Sequence, residues 1–201
     1  MNNGRMKVAI LIGFSLSFSG WALANTYGLD PKLAVTITTS TGKTVVVKGP
    51  KVDLDFDTWW RWKVSNVLKS PNEKFTAVLY HGRAIKYWSA AVFLVRPDGT
   101  VEELKNGEVR KIQWTEDGLY LVGTGDNTIR LWNLNGGVRQ VTFPDIWASR
   151  VMGKTLCLNV GWYSPTTGRL SRTSEIHLAV PSLTQISDKD TDGNATCEAR
   201  P

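Results

Sequence analysis

Apolar residues in this chain alternate or run in blocks of five to eight, rich in Val, Ile, Leu, Thr and Trp and cut by Gly, Pro, Asn and Asp. That pattern predicts short β-strands and almost no helix. Three stretches can be laid over one another. The first runs from about 62 to 104: WKVSNVLKS, a turn at PNE, KFTAVLY, a loop, WSAAVFLV, a turn at RPDG, then TVEEL. The second runs from about 108 to 141: EVRKIQW, a turn at TEDG, LYLVG, a short loop, NTIRLWN, a turn at LNGG, then VRQV. The third runs from about 146 to 186: IWASRVM, a turn at Gly153, KTLCLNVGW, a long loop, SEIHLAV, a turn at PSL, then TQI. Each reads as a four-strand meander, the unit of a β-propeller blade.

Upstream, LAVTITT and KTVVVK form a hairpin across STG, and VDLDFD reads as a third strand of a partial fourth blade completed by the C-terminal tail. The expected fold class is all-β, a small β-propeller-like meander of four-stranded sheets. It is either a compact four-bladed ring or an incomplete, open arc. Each blade buries its faces against its neighbours, so an open arc leaves apolar surface for a partner.

Family resemblance enters on particular stretches. DNTIRLWNL resembles the third strand of a WD-type repeat. SPNEKFTAVL and TEDGLYLVG resemble the turn and second strand of TolB-type propeller repeats, and NGGVRQVTF resembles the end of their fourth strand. The likeness covers roughly 62–145. It departs at Pro71-Asn72-Glu73, which replaces the usual turn, and at Asn133, where a WD-type repeat carries Asp; the Gly-His pair is absent. It implies a fold and no particular activity.

The N-terminal residues change the compartment. Arg5 and Lys7 precede VAILIGFSLSF, and Ala22-Leu23-Ala24 supplies the small residues of a cleavage site. These are the parts of a secretory signal peptide, residues 1–24, leaving a mature domain of residues 25–201 in the bacterial periplasm or outside the cell. Gly13, Ser15, Ser17, Ser19 and Gly20 interrupt the run that a membrane anchor needs. The whole chain has 24 Lys and Arg against 18 Asp and Glu, a net charge of +6, and removal of Arg5 and Lys7 leaves +4. That excess favours acidic partners weakly and lacks the dense basic patterning of a nucleic-acid binder. The two cysteines of an exported chain, Cys157 and Cys197, are expected to form one disulfide tethering a polar tail, with two free thiols as the alternative.

Candidate chemistry is thin. His177 lies in a strand and His81 at the start of a loop, with no metal-ligand spacing, nucleophile elbow or phosphate loop around them. Asp53, Asp55 and Asp57 alternate and share one strand face. Asp188, Asp190 and Asp192 before Gly193 resemble the first half of a calcium loop, but the twelfth position is Ala199, which cannot ligate; the alternative is a polar tail. No cofactor is expected. Of nine tryptophans, Trp88, Trp114, Trp132 and Trp147 fall where core packing is expected, whereas Trp59, Trp60 and Trp62 are too closely spaced for all to point inward.

In a blade the loops between second and third strands share one end with the links between blades. Here that end carries His81, Arg83, Lys86, Tyr87, Trp162, Tyr163, Arg169 and Arg172, a basic and aromatic face suited to capturing another protein. The longest loop, 162–173, is the element expected to enter a partner's cleft, with Ser164, Thr166 or Thr167 as its plug. A small, exported, disulfide-clipped, all-β chain without catalytic groups is similar in architecture to periplasmic immunity proteins. These protect a cell from peptidoglycan-cleaving amidase effectors of type VI secretion, and some are compact propellers that plug the enzyme with a loop. The resemblance is one of architecture, without a residue motif. A TolB-like envelope adaptor and a Trp-rich module binding peptidoglycan fragments are the alternatives, and an enzyme with scattered carboxylates is a further one.

Overall fold

A computed structural model describes residues 27–28, 31–50, 52–53, 61–83, 88–104, 109–194 and 196–197. Two short strands, β1 (Tyr27–Gly28) and β4 (Val52–Asp53), pair with each other, and β2 (Val35–Thr38) and β3 (Thr44–Val47) form a hairpin. Three antiparallel meanders follow. The first is β5 (Arg61–Lys69), β6 (Thr76–Arg83), β7 (Trp88–Val95) and β8 (Val101–Leu104). The second is β9 (Lys111–Trp114), β10 (Tyr120–Thr124), β11 (Thr128–Asn133) and β12 (Val138–Thr142). The third is β13 (Ile146–Met152), β14 (Thr155–Tyr163), β15 (Leu170–Ala179) and β16 (Gln185–Asp190). The three repeats read from the sequence are therefore three four-stranded sheets. VDLDFD departs from expectation: Val52 and Asp53 pair with β1 rather than extending the hairpin, and residues 54–57, with Asp55 and Asp57, lie outside the described residues. The signal segment 1–24 also lies outside them.

The turn between first and second strands is built alike in two sheets. Ser70 and Thr115 each donate a hydroxyl to an acceptor two residues on, Asn72 Oδ1 at 2.7 Å and Asp117 Oδ1 at 2.6 Å. Those hydroxyl oxygens in turn accept from the N–H of Phe75 and Tyr120. The turns force a left-handed residue at the same place, Gly118 (φ 65°) in one and Glu73 (φ 58°) in the other. Gly adopts that conformation without the steric cost that Glu bears.

Three apolar clusters separate four layers. Ile37 and Val47 of the hairpin pack on Val78, Tyr80 and Phe93 of the first sheet. Ala77, Leu79, Val92 and Leu94 of that sheet pack on Ile112, Leu121 and Trp132 of the second. Val122, Ile129 and Leu131 of the second pack on Leu156, Leu158, Val160, Ile176 and Leu178 of the third. Strands β6 and β10 are thus buried on both faces, which accounts for their unbroken apolar runs. Burial pushes the Tyr80 phenol up to about 12, and its hydroxyl donates to Leu33 O at 2.9 Å. Among the described residues no cluster joins the third sheet back to the hairpin. The outer face of the third sheet carries Cys157 and Asn159, and the tail is fastened there by the Cys157–Cys197 disulfide. The four-stranded sheets fit a small propeller-like arrangement.

Candidate functional site: the rim of end loops

The alternation of β14 sets which side chains reach the rim. Leu156, Leu158, Val160 and Trp162 face the second sheet, so Cys157, Asn159, Gly161 and Tyr163 face away from it. A bulge between Ile146 and Ala148 places Trp147 outward as well. Its indole lies over Gly161, where an added Cβ would sit 2.8 Å from the ring and 3.1 Å from Leu170. Trp147, Tyr163 and Leu170 are 41%, 47% and 47% exposed. They form an apolar step at the end of the third sheet. Tyr163 donates its hydroxyl to Asp145 Oδ2 at 2.8 Å, and the Trp147 indole N–H donates to the same oxygen. Asp145 is held by its own backbone, whose carbonyl accepts from Gly161 N at 2.8 Å. The hydrogen bond to Asp145 raises the Tyr163 pKa above its ordinary value.

The rim continues through the other sheets. The loop of the second sheet bonds to the link entering the third: Asn127 O accepts from Phe143 N, and Asp126 O from Ile146 N. The Asp126 carboxylate takes the guanidinium of Arg110. Val109 O, one residue earlier, accepts from His81 Nε2 of the first sheet at 3.2 Å, which fixes the proton on that nitrogen. A chain of contacts thus runs from His81 through 109–110, 126–127 and 143–146 to Tyr163. Between the second and third sheets it encloses a cleft of ≈ 380 Å³ lined by Arg110, Lys111, Thr124, Trp147 and Ser149.

The residues expected at the rim are distributed as follows. His81 is half-buried and bonded, and burial lowers its pKa. Arg83 is exposed at the end of β6, and Lys86 and Tyr87 lie outside the described residues. Trp162 turns inward against the apolar cluster between the second and third sheets, a correction to its expected exposure. The long loop is shorter than expected, because Trp162 pairs with Arg172 and Tyr163 with Leu170, leaving 164–169. That tip closes on itself. Ser164 N donates to Arg169 O and Gly168 N to Ser164 O, each at 2.8 Å, and Ser164 and Thr166 share a 2.9 Å hydroxyl contact. Thr166, Thr167 and Arg169 are exposed on it.

Arg172 is turned to β16, where its guanidinium holds Asp188 at 2.6 Å and also Asp190. The positive charge that this acidic run attracts is thus supplied from β15. Asp192 lies past the strand end in a left-handed turn (φ 48°), and the three carboxylates do not gather as a metal-ligand group among the described residues. Sequence reasoning misses Trp147 as a rim residue, since it places it in the core; it puts the 143–145 link on the rim without singling out Asp145. The available signal is Gly161, a residue without Cβ opposite a tryptophan.

No family model matches the chain, and no curated protein matches it. Solved structures similar to it at low identity include the β-propeller domain of the Trilobed protease from Pyrococcus furiosus, with open velcro topology. That likeness has 10% identity and TM-score 0.48, over 65% of this chain and 43% of that one. Another is Pyrococcus horikoshii acylaminoacyl peptidase, at 9% identity and TM-score 0.51, over 65% of this chain and 25% of that one. A third is a eukaryotic initiation factor, at 12% identity and TM-score 0.47, over 85% of this chain and 44% of that one. The chain thus aligns to less than half the length of each. Together with the three four-stranded meanders, the likeness at TM-score 0.51 identifies a β-propeller-like fold and nothing finer.

Proposed function

We propose that this chain is an exported, non-enzymatic protein-binding domain that docks a partner on its rim and, in its most specific form, blocks a secreted effector such as a cell-wall amidase by inserting the 164–169 tip. The observation that carries the reading is the pair Trp147 and Tyr163. Their polar atoms are both committed to Asp145, so what they offer outward is fixed apolar ring surface. Rigid, exposed aromatic surface is what binding hot spots are made of, because little side-chain freedom is lost on docking. The exposed Arg83 and Arg169 favour an acidic contact surface on the partner. The Cys157–Cys197 disulfide suits an oxidising, exported setting, and no helix among the described residues is long and apolar enough to cross a membrane.

The test is loop replacement. Residues 164–169 are replaced by Asn-Gly, which closes a two-residue hairpin between Tyr163 and Leu170. Inhibition of an amidase encoded beside this gene is expected to vanish while near-ultraviolet circular dichroism stays unchanged. Undiminished inhibition removes loop insertion from the proposal. Tryptophan fluorescence that shifts with muropeptides, and is abolished in Trp147→Ser, favours the peptidoglycan-binding alternative instead.

A further inference from the structure

On the outer face of the third sheet, away from the aromatic step, four metal-ligating side chains converge. Cys157 on β14 stands directly across from His177 on β15, and Glu175 lies two residues before His177 on the same face. Their ligand atoms all lie within 4.8 Å of one another. Cys197 joins them through the disulfide. His177 Nε2 has no exposed surface and no hydrogen-bond partner, although Glu175 Oε1 stands 2.9 Å from it. Both cysteines are buried, at 3% and 0% exposure.

We infer that the reduced chain holds one zinc ion between Cys157, Cys197, His177 and Glu175, and that this site and the Cys157–Cys197 disulfide are mutually exclusive states of the same four residues. Two thiolates, an imidazole and a carboxylate make a tetrahedral donor set that Zn²⁺ accepts, at about 2.0–2.3 Å from each atom. Ligand atoms in such a site stand about 3–4 Å apart, so the present spacing needs side-chain adjustment of about an ångström. While the disulfide stands, neither sulfur is a thiolate and neither ligates.

The exchange balances. A dithiol reductant attacks the disulfide, becomes a disulfide itself, and leaves two protein thiols. Zinc uptake then releases one proton from each thiol to solvent. The site keeps a net charge of −1. Arg150, paired across from Cys157, and Lys189, paired across from Glu175, stand on the same sheet face to offset it.

Cys197 is positioned even without the S–S bond. Asn159 Oδ1 accepts from Cys197 N at 2.8 Å, and Asn159 Nδ2 donates to Thr196 Oγ1 at 3.0 Å. The tail is therefore docked by two hydrogen bonds that reduction does not touch. This docking does not depend on the rim or on any partner.

The experiment uses the full mature chain, oxidised and reduced, with Zn²⁺ followed by native mass spectrometry and Co²⁺ by visible absorption. One zinc per reduced chain, none per oxidised chain, and the absorption of tetrahedral, thiolate-bound cobalt are expected. His177→Ala and Glu175→Gln are expected to weaken zinc at least about tenfold, and His81→Ala to leave it unchanged. If reduction unfolds the chain, one equivalent of zinc is expected to restore its near-ultraviolet circular dichroism. No zinc on the reduced chain, equal binding to the oxidised chain, affinity unmoved by His177→Ala, or failure of zinc to refold an unfolded reduced chain overturns the inference.

Discussion

The Tyr163 hydroxyl donates to Asp145 Oδ2 at 2.8 Å, across the space between the link into the third sheet and the end of its second strand. The bond makes phenol ionisation place a second negative charge beside the carboxylate, which raises the Tyr163 pKa. Asp145→Ala removes that anion. One tyrosine is expected to ionise at lower pH in a spectrophotometric titration of the variant, and Tyr163→Phe is expected to erase the difference.

The twin turns make a sharper stability prediction. Glu73 and Gly118 occupy the same left-handed position, and each N–H closes its turn onto Ser70 O and Thr115 O. Glu73→Gly relieves about 1–2 kcal/mol of backbone strain and loses about 0.5–1 kcal/mol to unfolded-chain entropy, a net gain of about 0.5 kcal/mol. Gly118→Ala has the opposite sign. It acquires the strain and brings a Cβ to 2.7 Å from Asn72 Nδ2. Urea midpoints of the two variants are expected to move in opposite directions.

Much of this architecture is legible in the chain. The turn motifs and four-strand spacing locate all three sheets, because each strand's apolar pattern agrees with its turn chemistry. The rim is less legible. Trp147 and Trp162 exchange the roles expected of them, since a single-residue bulge after Ile146 turns Trp147 outward while the alternation of β14 carries Trp162 inward. Sequence periodicity cannot register a bulge, and a one-residue slip reverses the face of a side chain. The cluster at Cys157 is equally hidden, because strand register alone brings residues 157, 175 and 177 together.

Glycine placement gives a packing test. In the second sheet the Trp132 ring lies so close to Gly123 that an added Cβ would sit 2.6 Å from it. Trp132 is nearly buried and cannot swing into solvent. Gly123→Ala is expected to cost about 1–3 kcal/mol through overpacking. Thermal unfolding checks this, and a cost near zero would mean that the indole moves freely.

His81 supplies the pH dependence. Burial lowers its pKa, hydrogen bonds with the Val109 and Arg110 backbone pull it partly back up, and the charges of Lys63 and Arg110 lower it further, for a net fall below the ordinary imidazole value. The folded chain therefore binds this proton less readily than the unfolded chain. Its contribution is fully present above about pH 6.5 and is lost as pH falls through the depressed folded value. Urea unfolding between pH 7.5 and pH 5, a range of about the ordinary imidazole titration, is expected to show a decline that is shallower in His81→Gln.

The rim itself is tested by where a partner touches. A photo-crosslinking residue replaces Tyr163 at the rim or Asn135 at the turn end of the second sheet, in the cell that makes the protein. One discrete protein adduct at position 163, absent at 135 and lost when Trp147→Ser is added, is the expected result. No adduct at 163, or equal adducts at both ends, contradicts docking on the rim.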